Sequence, residues 1–181
     1  MTKMKIKKLL DFKQCVKCRT CCKFKKGDGA WAPIFSAAEI KAIAKEHRIK
    51  SAWKKYKKSK NSFQPRLVKS EKEAGIYVCP FLNEKKYRCL VEKLKPFDCR
   101  IWPFVLMKNK KKDAINLVYY GKEHCPGLAS TGKRRFETYK KYLVNFCKLN
   151  SIVPYLGALW DYDVDAIRVC EIMKIPKGLS F

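Results

Sequence analysis

The sequence predicts an α+β fold: a small, loop-rich, metal-stapled domain with short β-hairpins and flanking helices. Ten cysteines occur in 181 residues, and four of them lie within eight positions. Short apolar runs interrupted by prolines occupy the middle of the chain, and segments with the apolar spacing of a helix lie on both sides. Because 47 % of the residues are apolar, a chain of this length can bury a core.

Helices are predicted in the first third of the chain. The apolar residues of the basic segment 1–14 fit a short helix. Ser36 followed by Glu39 has the form of a capping box, in which each side chain accepts a hydrogen bond from a free backbone N–H. We therefore expect a helix to begin there. A further turn of helix is expected around Trp53 and Tyr56.

Short strands are predicted in the middle of the chain. The β-like runs are Leu67–Val68, Ile76–Leu82, Phe104–Met107 and Ile115–Tyr120. The last two flank a polar connection, Asn109–Asp113, which has the length of a hairpin loop. Three prolines between the runs, Pro80, Pro96 and Pro103, disfavour long regular strands.

The C-terminal part of the sequence predicts two more helices. Apolar residues of segment 132–150 fall on one helical face, and Asp163 is placed to cap a final helix that Pro176 would end. We therefore divide the chain into a cysteine-cluster metal-binding domain, residues 1–130, and a helical C-terminal extension packed on it, residues 131–181.

The apolar pattern indicates a cytoplasmic protein that does not interact with a membrane. No apolar run approaches the ~18 residues that a membrane span requires. The positive N-terminus is not followed by the ~7 to 15 apolar residues of a secretory signal. In a reducing compartment, clustered cysteines favour metal ligation over disulfide bonds.

The strongest signal in the sequence is the motif Cys-x-x-Cys-x-x-Cys-Cys, formed by Cys15, Cys18, Cys21 and Cys22. Two-residue gaps allow successive thiolates to converge on one centre. Lys17, Arg19 and Lys23 lie next to these cysteines, and we expect their charges to lower the pKa of the thiols.

The spacing favours an iron–sulfur cluster of the 4Fe-4S type, with zinc as the alternative. Structural zinc usually takes two separated cysteine pairs, and this chain has no second Cys-x-x-Cys segment. Three thiolates spaced two residues apart, with a remote cysteine followed by proline, are typical of ferredoxin-type ligation. Cys79 and Cys125 each precede a proline.

Four more cysteines lie in the proline-rich middle, where a bound metal would supply rigidity: Cys79, Cys89, Cys99 and Cys125. Buried free cysteines are the alternative interpretation. Arg100 follows Cys99 and is a candidate for balancing the negative charge of a thiolate site. His124 precedes Cys125 and is a candidate to ligate metal or to donate a hydrogen bond to a bound sulfur.

The motifs CVKCRTCC, VCPFL, DCRIWPF and CPG, in that order, resemble the YkgJ-like cysteine-cluster proteins with the CxxCxxCC motif, described as zinc- or iron-chelating. The cysteine-rich region of the flagellin lysine N-methylases is similar. The resemblance covers roughly residues 15 to 127 and implies metal or iron–sulfur binding by all eight cysteines of these two groups. It also implies S-adenosylmethionine-dependent methyl transfer or redox chemistry as candidate activities. Cys147 and Cys170 lie outside the resemblance and are expected in the core.

The formal net charge is +26, and the positive residues are densest in Lys50–Lys60, where six lysines surround Trp53 and Tyr56. Cations and aromatic rings together are typical of single-stranded nucleic-acid binding. The alternative function is therefore a zinc-stabilised basic module that binds RNA, another polyanion or a ribosomal surface. Only eight of the 42 basic residues are arginines, so a solvated basic surface is the other interpretation. The sequence leaves the oligomeric state open.

Overall fold

The computed structural model describes residues 6–10, 12–18, 20–47, 53–56, 61–149 and 159–175. Helices and small antiparallel sheets both occur, so the predicted α+β class is confirmed. Within these ranges, no helix combines the length and apolar character needed to cross a membrane.

The described part of the chain contains four α-helices: α1 (Phe12–Cys18), α2 (Ala37–Glu46), α3 (Phe97–Ile101) and α4 (Lys133–Leu149). The predicted capping box at α2 is confirmed. Ser36 Oγ accepts a hydrogen bond from the Glu39 N–H at 3.3 Å, and Glu39 Oε2 accepts one from the Ser36 N–H at 2.9 Å. The other carboxylate oxygen of Glu39 accepts a hydrogen bond from the Phe97 N–H at 2.7 Å. One side chain therefore fixes the start of α2 to the start of α3, the helix that carries Cys99.

Eleven short strands occur in the same ranges: β1 (Lys23–Lys25), β2 (Phe35–Ser36), β3 (Trp53–Lys55), β4 (Ser62–Pro65), β5 (Val68–Lys69), β6 (Ile76–Val78), β7 (Leu82–Asn83), β8 (Arg88–Cys89), β9 (Phe104–Lys108), β10 (Ala114–Tyr119) and β11 (Ile167–Lys174). They form three-stranded sheets in the orders β1-β6-β5, β2-β4-β3 and β9-β10-β11, and the hairpin β7-β8. All named pairs are antiparallel.

The predicted hairpin around Asn109–Asp113 is confirmed as β9 and β10. Ile115 pairs with Lys108 at the loop end, and Tyr119 pairs with Phe104 at the other end. Asn109 Oδ1 accepts a hydrogen bond from the Asp113 N–H at 3.0 Å, which closes the polar loop. The hairpin is buried along most of its length and forms the centre of the fold.

The predicted final helix after Asp163 is wrong, because residues 167–174 form strand β11 on the edge of β10. Three of these residues, Ile167, Val169 and Ile172, are β-branched, which suits a half-buried strand. The backbone N–H and C=O groups of buried β10 need partners on that edge, and β11 supplies them.

The predicted helical positions near the N-terminus and near Trp53 also differ from the structure. Residues 6–10 are not helical, and α1 begins only at Phe12, so the first helix carries the cysteine motif. Trp53 lies on β3 and pairs with Pro65 of β4. The helix expected around Trp53 does not form because Trp53 packs as part of a strand against the rings of Phe35 and Phe81.

Helix α4, predicted over 132–150, packs on the central hairpin. Leu143 and Cys147 are buried in one cluster with Phe104, and the ring of Phe104 stacks on Phe136 at 5.5 Å. The expectation that Cys147 is a core residue is confirmed. Cys170 is half-buried on β11 against the same cluster. The division at residues 130 and 131 stays a prediction.

Candidate metal centre

The eight cysteines of the motif lie on six local elements. Helix α1 carries Cys15 and Cys18, and the 3-10 turn Thr20–Cys22 follows it with two more. The remaining four stand after β6, at the end of β8, within α3 and before the 3-10 turn Pro126–Ser130. The Cys79 N–H donates a hydrogen bond to the Cys22 carbonyl at 3.0 Å, which joins the first motif to the middle of the chain.

A small cavity of about 90 Å³ lies between these elements, and we call it the thiol cavity. Six of the eight predicted ligands line it: Cys15, Cys21, Cys22, Cys79, Cys89 and Cys99. Apolar side chains such as Phe35, Phe81 and Val91 form much of the remaining wall. Cys18 and Cys125 lie outside this lining, although Cys125 is near enough to Cys21 to interact with its charge.

The thiols line a common cavity, but their sulfur atoms do not converge on one position. Among the residues that the structure describes, no three His, Cys, Asp or Glu side chains are arranged to hold one metal ion. All ten cysteines are free thiols. The assignment of the eight cysteines as ligands therefore stays a prediction, and the thiol cavity is where most of them come together.

Burial favours the protonated form of five of these thiols. It raises the pKa of Cys79 to about 12, and it is the first cause of the raised pKa of Cys89 and of Cys99. The pKa of Cys15 is raised by burial as well, and that of Cys125 rises to about 12 for the same reason.

Cys21 differs from the other thiols in the cause of its shift. A hydrogen bond with Cys22 comes first, followed by burial, and together they raise the pKa of Cys21 well above its ordinary value. Its exposed surface faces cavities, since Cys21 lines the thiol cavity on one side and a larger pocket on the other. The expectation that adjacent basic residues lower the thiol pKa values is wrong for Cys21. Lys23 instead forms an ion pair with Glu73.

Lys95 is a cation of the thiol cavity that the sequence analysis did not identify. Its side chain is 18 % exposed and forms an ion pair with Glu92 Oε2 at 2.7 Å. Burial lowers the pKa of Lys95, but the hydrogen bond with Glu92 and the negative charge of Glu92 outweigh burial and raise it. The ammonium group is therefore charged at neutral pH. No sequence signal distinguishes it, because the chain has many lysines.

The two residues predicted to assist the centre occupy other positions. Arg100 lies outside the thiol cavity, and its Nε–H donates a hydrogen bond to the Lys95 carbonyl. It thus positions the backbone of the residue that supplies the positive charge. His124 lines the larger pocket, where its ring stacks on Trp31 with a centroid distance of 5.9 Å. The roles predicted for both residues stay predictions.

The larger pocket has a volume of about 330 Å³, and we call it the aromatic pocket. It shares a wall with the thiol cavity, formed by Cys21, Cys99 and Trp102 together with Pro33. Its remaining aromatic side chains are Phe24, Trp31, Trp160 and His124, and its charged side chains are Asp28, Asp98, Glu123 and Lys23. Two thiols thus separate a small sulfur-lined space from a ligand-sized one.

Asp98 is a buried carboxylate of the aromatic pocket, with 5 % of its surface exposed. Its Oδ2 accepts a hydrogen bond from the Ile34 N–H at 3.0 Å, and its Oδ1 accepts one from the Trp160 Nε1–H at 2.9 Å. Burial raises the pKa of Asp98 to about 7, although these hydrogen bonds lower it. Asp98 stands beside Cys99 in the motif DCRIWPF, but its burial has no sequence signal.

Comparison with known proteins adds a family and one distant relative. Residues 14–140 match a family model with the motif CxxCxxCC, described as a "putative zinc- or iron-chelating domain". An uncharacterized protein of Methanocaldococcus jannaschii is 26 % identical over 169 residues, which cover 92 % of this chain and 82 % of that protein. No solved structure matches the chain.

Proposed function

Starting from the fact that this chain belongs to the CxxCxxCC family of zinc- or iron-chelating domains, we propose that it binds an iron–sulfur cluster in the thiol cavity. The observation that carries the proposal is that six of the eight motif cysteines line one cavity of about 90 Å³. Thiolates are soft ligands that select zinc, copper(I) and iron–sulfur clusters over harder ions. The donor set of the cavity therefore fits the proposed group.

Two features of the cavity favour a cluster over a single zinc ion. A tetrahedral zinc site takes four ligands, whereas six thiols line this space. A single zinc ion in contact with its four ligands leaves no empty space between them. The thiol cavity instead has room for several water-sized volumes of roughly 10–15 Å³ each. A cluster with inorganic sulfide occupies such a space, and four cysteines suffice to hold it.

The buried cation Lys95 supports the same proposal. Several thiolates in a low-dielectric cavity carry a net negative charge, which is costly unless it is balanced. Lys95 lines the cavity and remains charged, because the hydrogen bond with Glu92 and the charge of Glu92 raise its pKa. In the proposed centre, Lys95 balances part of the thiolate charge, and Arg100 holds the backbone of Lys95 in place.

The aromatic pocket supports a role in redox chemistry on a bound ligand. Cys21 and Cys99 line both cavities, so a centre held by these thiols adjoins the pocket. Methyl transfer would require S-adenosylmethionine and its substrate together. The volume of about 330 Å³ is near the lower limit for one ligand, roughly 300 Å³, which favours redox chemistry over methyl transfer. Free thiols at all ten cysteines support the proposed cytoplasmic location.

The test is to reconstitute the protein anaerobically with ferrous iron and sulfide. We expect bound iron and sulfide in equal amounts and absorption near ~400 nm, as thiolate-bound clusters show. Cys21→Ala should lose most of this absorption because Cys21 lines both cavities. Cys170→Ala is the matched control, since Cys170 lies on β11 outside them. Colourless protein with stoichiometric zinc would reject the cluster, and full colour in Cys21→Ala would reject the cavity as its site.

We also propose polyanion binding by the basic surface, in which case the metal serves only to stabilise a module that binds RNA or a ribosomal surface. The net charge of +26 supports this second function. Within Lys50–Lys60, the structure describes only residues 53–56, and the remaining lysines lie outside the described residues. Trp53 packs against Phe35 and Phe81, so the proposal depends on the lysines rather than on base stacking.

This second proposal predicts RNA binding whose affinity falls as the salt concentration rises. Replacing Lys54 and Lys55 by Gln should weaken binding while leaving the metal content unchanged. Absence of RNA binding at low salt would reject it.

A further inference from the structure

We propose that the aromatic pocket binds a small organic ammonium ion, either a protonated amine or a quaternary ammonium. This inference names the ligand class of the pocket and rests on the proposed function only for the pocket's role beside the metal centre. The binding itself requires no metal. Four observations carry the inference, namely a buried carboxyl group that no cation of the described residues contacts, aromatic walls, an acidic rim and a lining with too few oxygen ligands for a hard metal ion.

The first observation is that no cationic side chain of the described residues contacts the buried carboxyl group of Asp98. Buried carboxylates in proteins are normally paired with a cation or a metal. In the described part of the chain, no Lys, Arg or His side chain forms an ion pair with Asp98. The backbone of Ile34 and the indole of Trp160 donate hydrogen bonds to it but carry no net charge. A cationic ligand would supply the missing charge.

Asp98 also has the capacity to accept more hydrogen bonds. A carboxylate offers about four lone-pair sites, and the Ile34 N–H and the Trp160 Nε1–H use one on each oxygen. Because Asp98 lines the aromatic pocket, its remaining exposed surface faces the space where a ligand would lie. An ammonium N–H, or the methyl surface of a quaternary ammonium, can approach it there.

The second observation is that three indole rings line the aromatic pocket. Trp31, Trp102 and Trp160 all line the pocket, and tryptophan is the best aromatic partner for a cation within ~6 Å of the ring centroid. The rings hold each other in place: Trp31 lies 5.7 Å from Trp160, and 5.9 Å from the ring of His124. Trp31 keeps 37 % of its surface exposed, so part of its ring is free for a ligand.

The third observation is the sign of the charge at the pocket. Asp28 and Glu123 add two carboxylates to that of Asp98, whereas the lining has one lysine, Lys23, which is already paired with Glu73. The chain as a whole has a net charge of +26. The pocket therefore carries the opposite sign to the molecule around it, which favours a cation and disfavours phosphates or carboxylates.

The fourth observation distinguishes an organic cation from a metal ion. Hard metal ions take six or more oxygen ligands at short distances. The lining of the aromatic pocket offers only three carboxylates, Asp28, Asp98 and Glu123, and most of its other side chains are aromatic or apolar. An organic cation instead needs aromatic contact, one or two carboxylates and volume. The pocket supplies all three, and about 330 Å³ is enough for a small ligand.

The experiment compares choline with 3,3-dimethylbutan-1-ol, its uncharged carbon isostere. Metal-free protein is titrated with each probe at about pH 8, and binding is measured by tryptophan fluorescence and by calorimetry. We expect choline to bind at millimolar or lower concentration and at least about tenfold more tightly than the isostere. Equal affinity for both probes, or no binding of choline at millimolar concentration, would overturn the inference.

Variants locate the binding. Trp31→Leu should weaken choline binding about tenfold, and Glu123→Gln should weaken it several-fold while preserving the fold, because Glu123 is exposed. Glu71→Gln removes an exposed carboxylate outside the pocket and should leave the affinity unchanged. Unchanged affinity in both pocket variants would place choline elsewhere and reject the assignment. Because the titration uses metal-free protein, failure to form a cluster and failure to bind choline are separate results.

Discussion

Metal binding in the thiol cavity should release protons, so the apparent affinity should rise steeply with pH. Five of the six lining thiols have a raised pKa. Any four of the six therefore include at least three thiols that are protonated at neutral pH. Zinc takes four thiolates in a structural site, and each protonated thiol loses one proton on ligation.

The number of protons released determines how steeply the metal affinity depends on pH. Release of three to four protons makes the apparent association constant for Zn²⁺ rise by about 10³ to 10⁴ from about pH 6.5 to about pH 7.5. The association constant must rise with pH, because thiols with a raised pKa are protonated and the metal has to displace their protons. This displacement becomes easier as the pH rises. Unpaired surface thiols near their ordinary pKa would also release protons, but they would not depend on Cys79 or Cys99.

The assay is competition with a chelator across this pH range, combined with calorimetry in buffers of different protonation enthalpy. Calorimetry measures the number of protons released directly. Cys99→Ala should reduce the affinity and the proton count together, whereas Cys170→Ala should change neither. Release of fewer than about two protons in the unmodified protein would show that these buried thiols are not the ligands.

Two further predictions concern stability. Ser36→Ala removes the hydrogen bond to the Glu39 N–H and should lower the free energy of unfolding by about 1 kcal/mol in urea, and an unchanged value would contradict the cap. Because burial raises the pKa of Asp98 to about 7, its protonated form is favoured in the fold. Its contribution is therefore greatest below about pH 4 and is lost as the pH rises through about 7, a change of roughly 4 kcal/mol. Asp98→Asn should lack this slope in pH-dependent denaturation, and a constant difference between the two proteins would contradict the burial effect.

The parts of the fold that depend on neighbouring residues are predictable from the sequence. The capping box of α2 involves two side chains three positions apart, and the structure has both of its hydrogen bonds. The hairpin of β9 and β10 follows from two apolar runs around a polar loop. In both cases, the interactions that fix the element lie within the segment itself.

The last strand was not predictable in this way. Residues 167–174 contain apolar residues at spacings that fit a helix, and they include the β-branched residues Ile167, Val169 and Ile172, which favour a strand. The choice depends on the free edge of β10, which lies about 50 residues earlier in the chain. The same reason applies to Trp53, whose strand conformation depends on pairing with β4.

In the candidate site, too, some residues were predictable from the sequence and others only from the fold. The spacing of the cysteines and the family resemblance together predict that distant stretches contribute to one centre, and six of the eight cysteines line one cavity. Lys95 and Asp98 were missed because their importance comes from burial and from what surrounds them, which only the folded chain defines. Arg100 was selected for its place beside Cys99, but in the fold it contacts the backbone of Lys95.

X-ray absorption spectroscopy at the edge of the bound metal tests the central claim most directly, because it identifies the atoms that surround the metal. With metal-loaded protein, we predict a first shell of sulfur only, at about 2.3 Å, and its loss of occupancy in Cys21→Ala. A first shell of nitrogen or oxygen at about 2.0 Å would contradict a centre built by the cysteines of the thiol cavity.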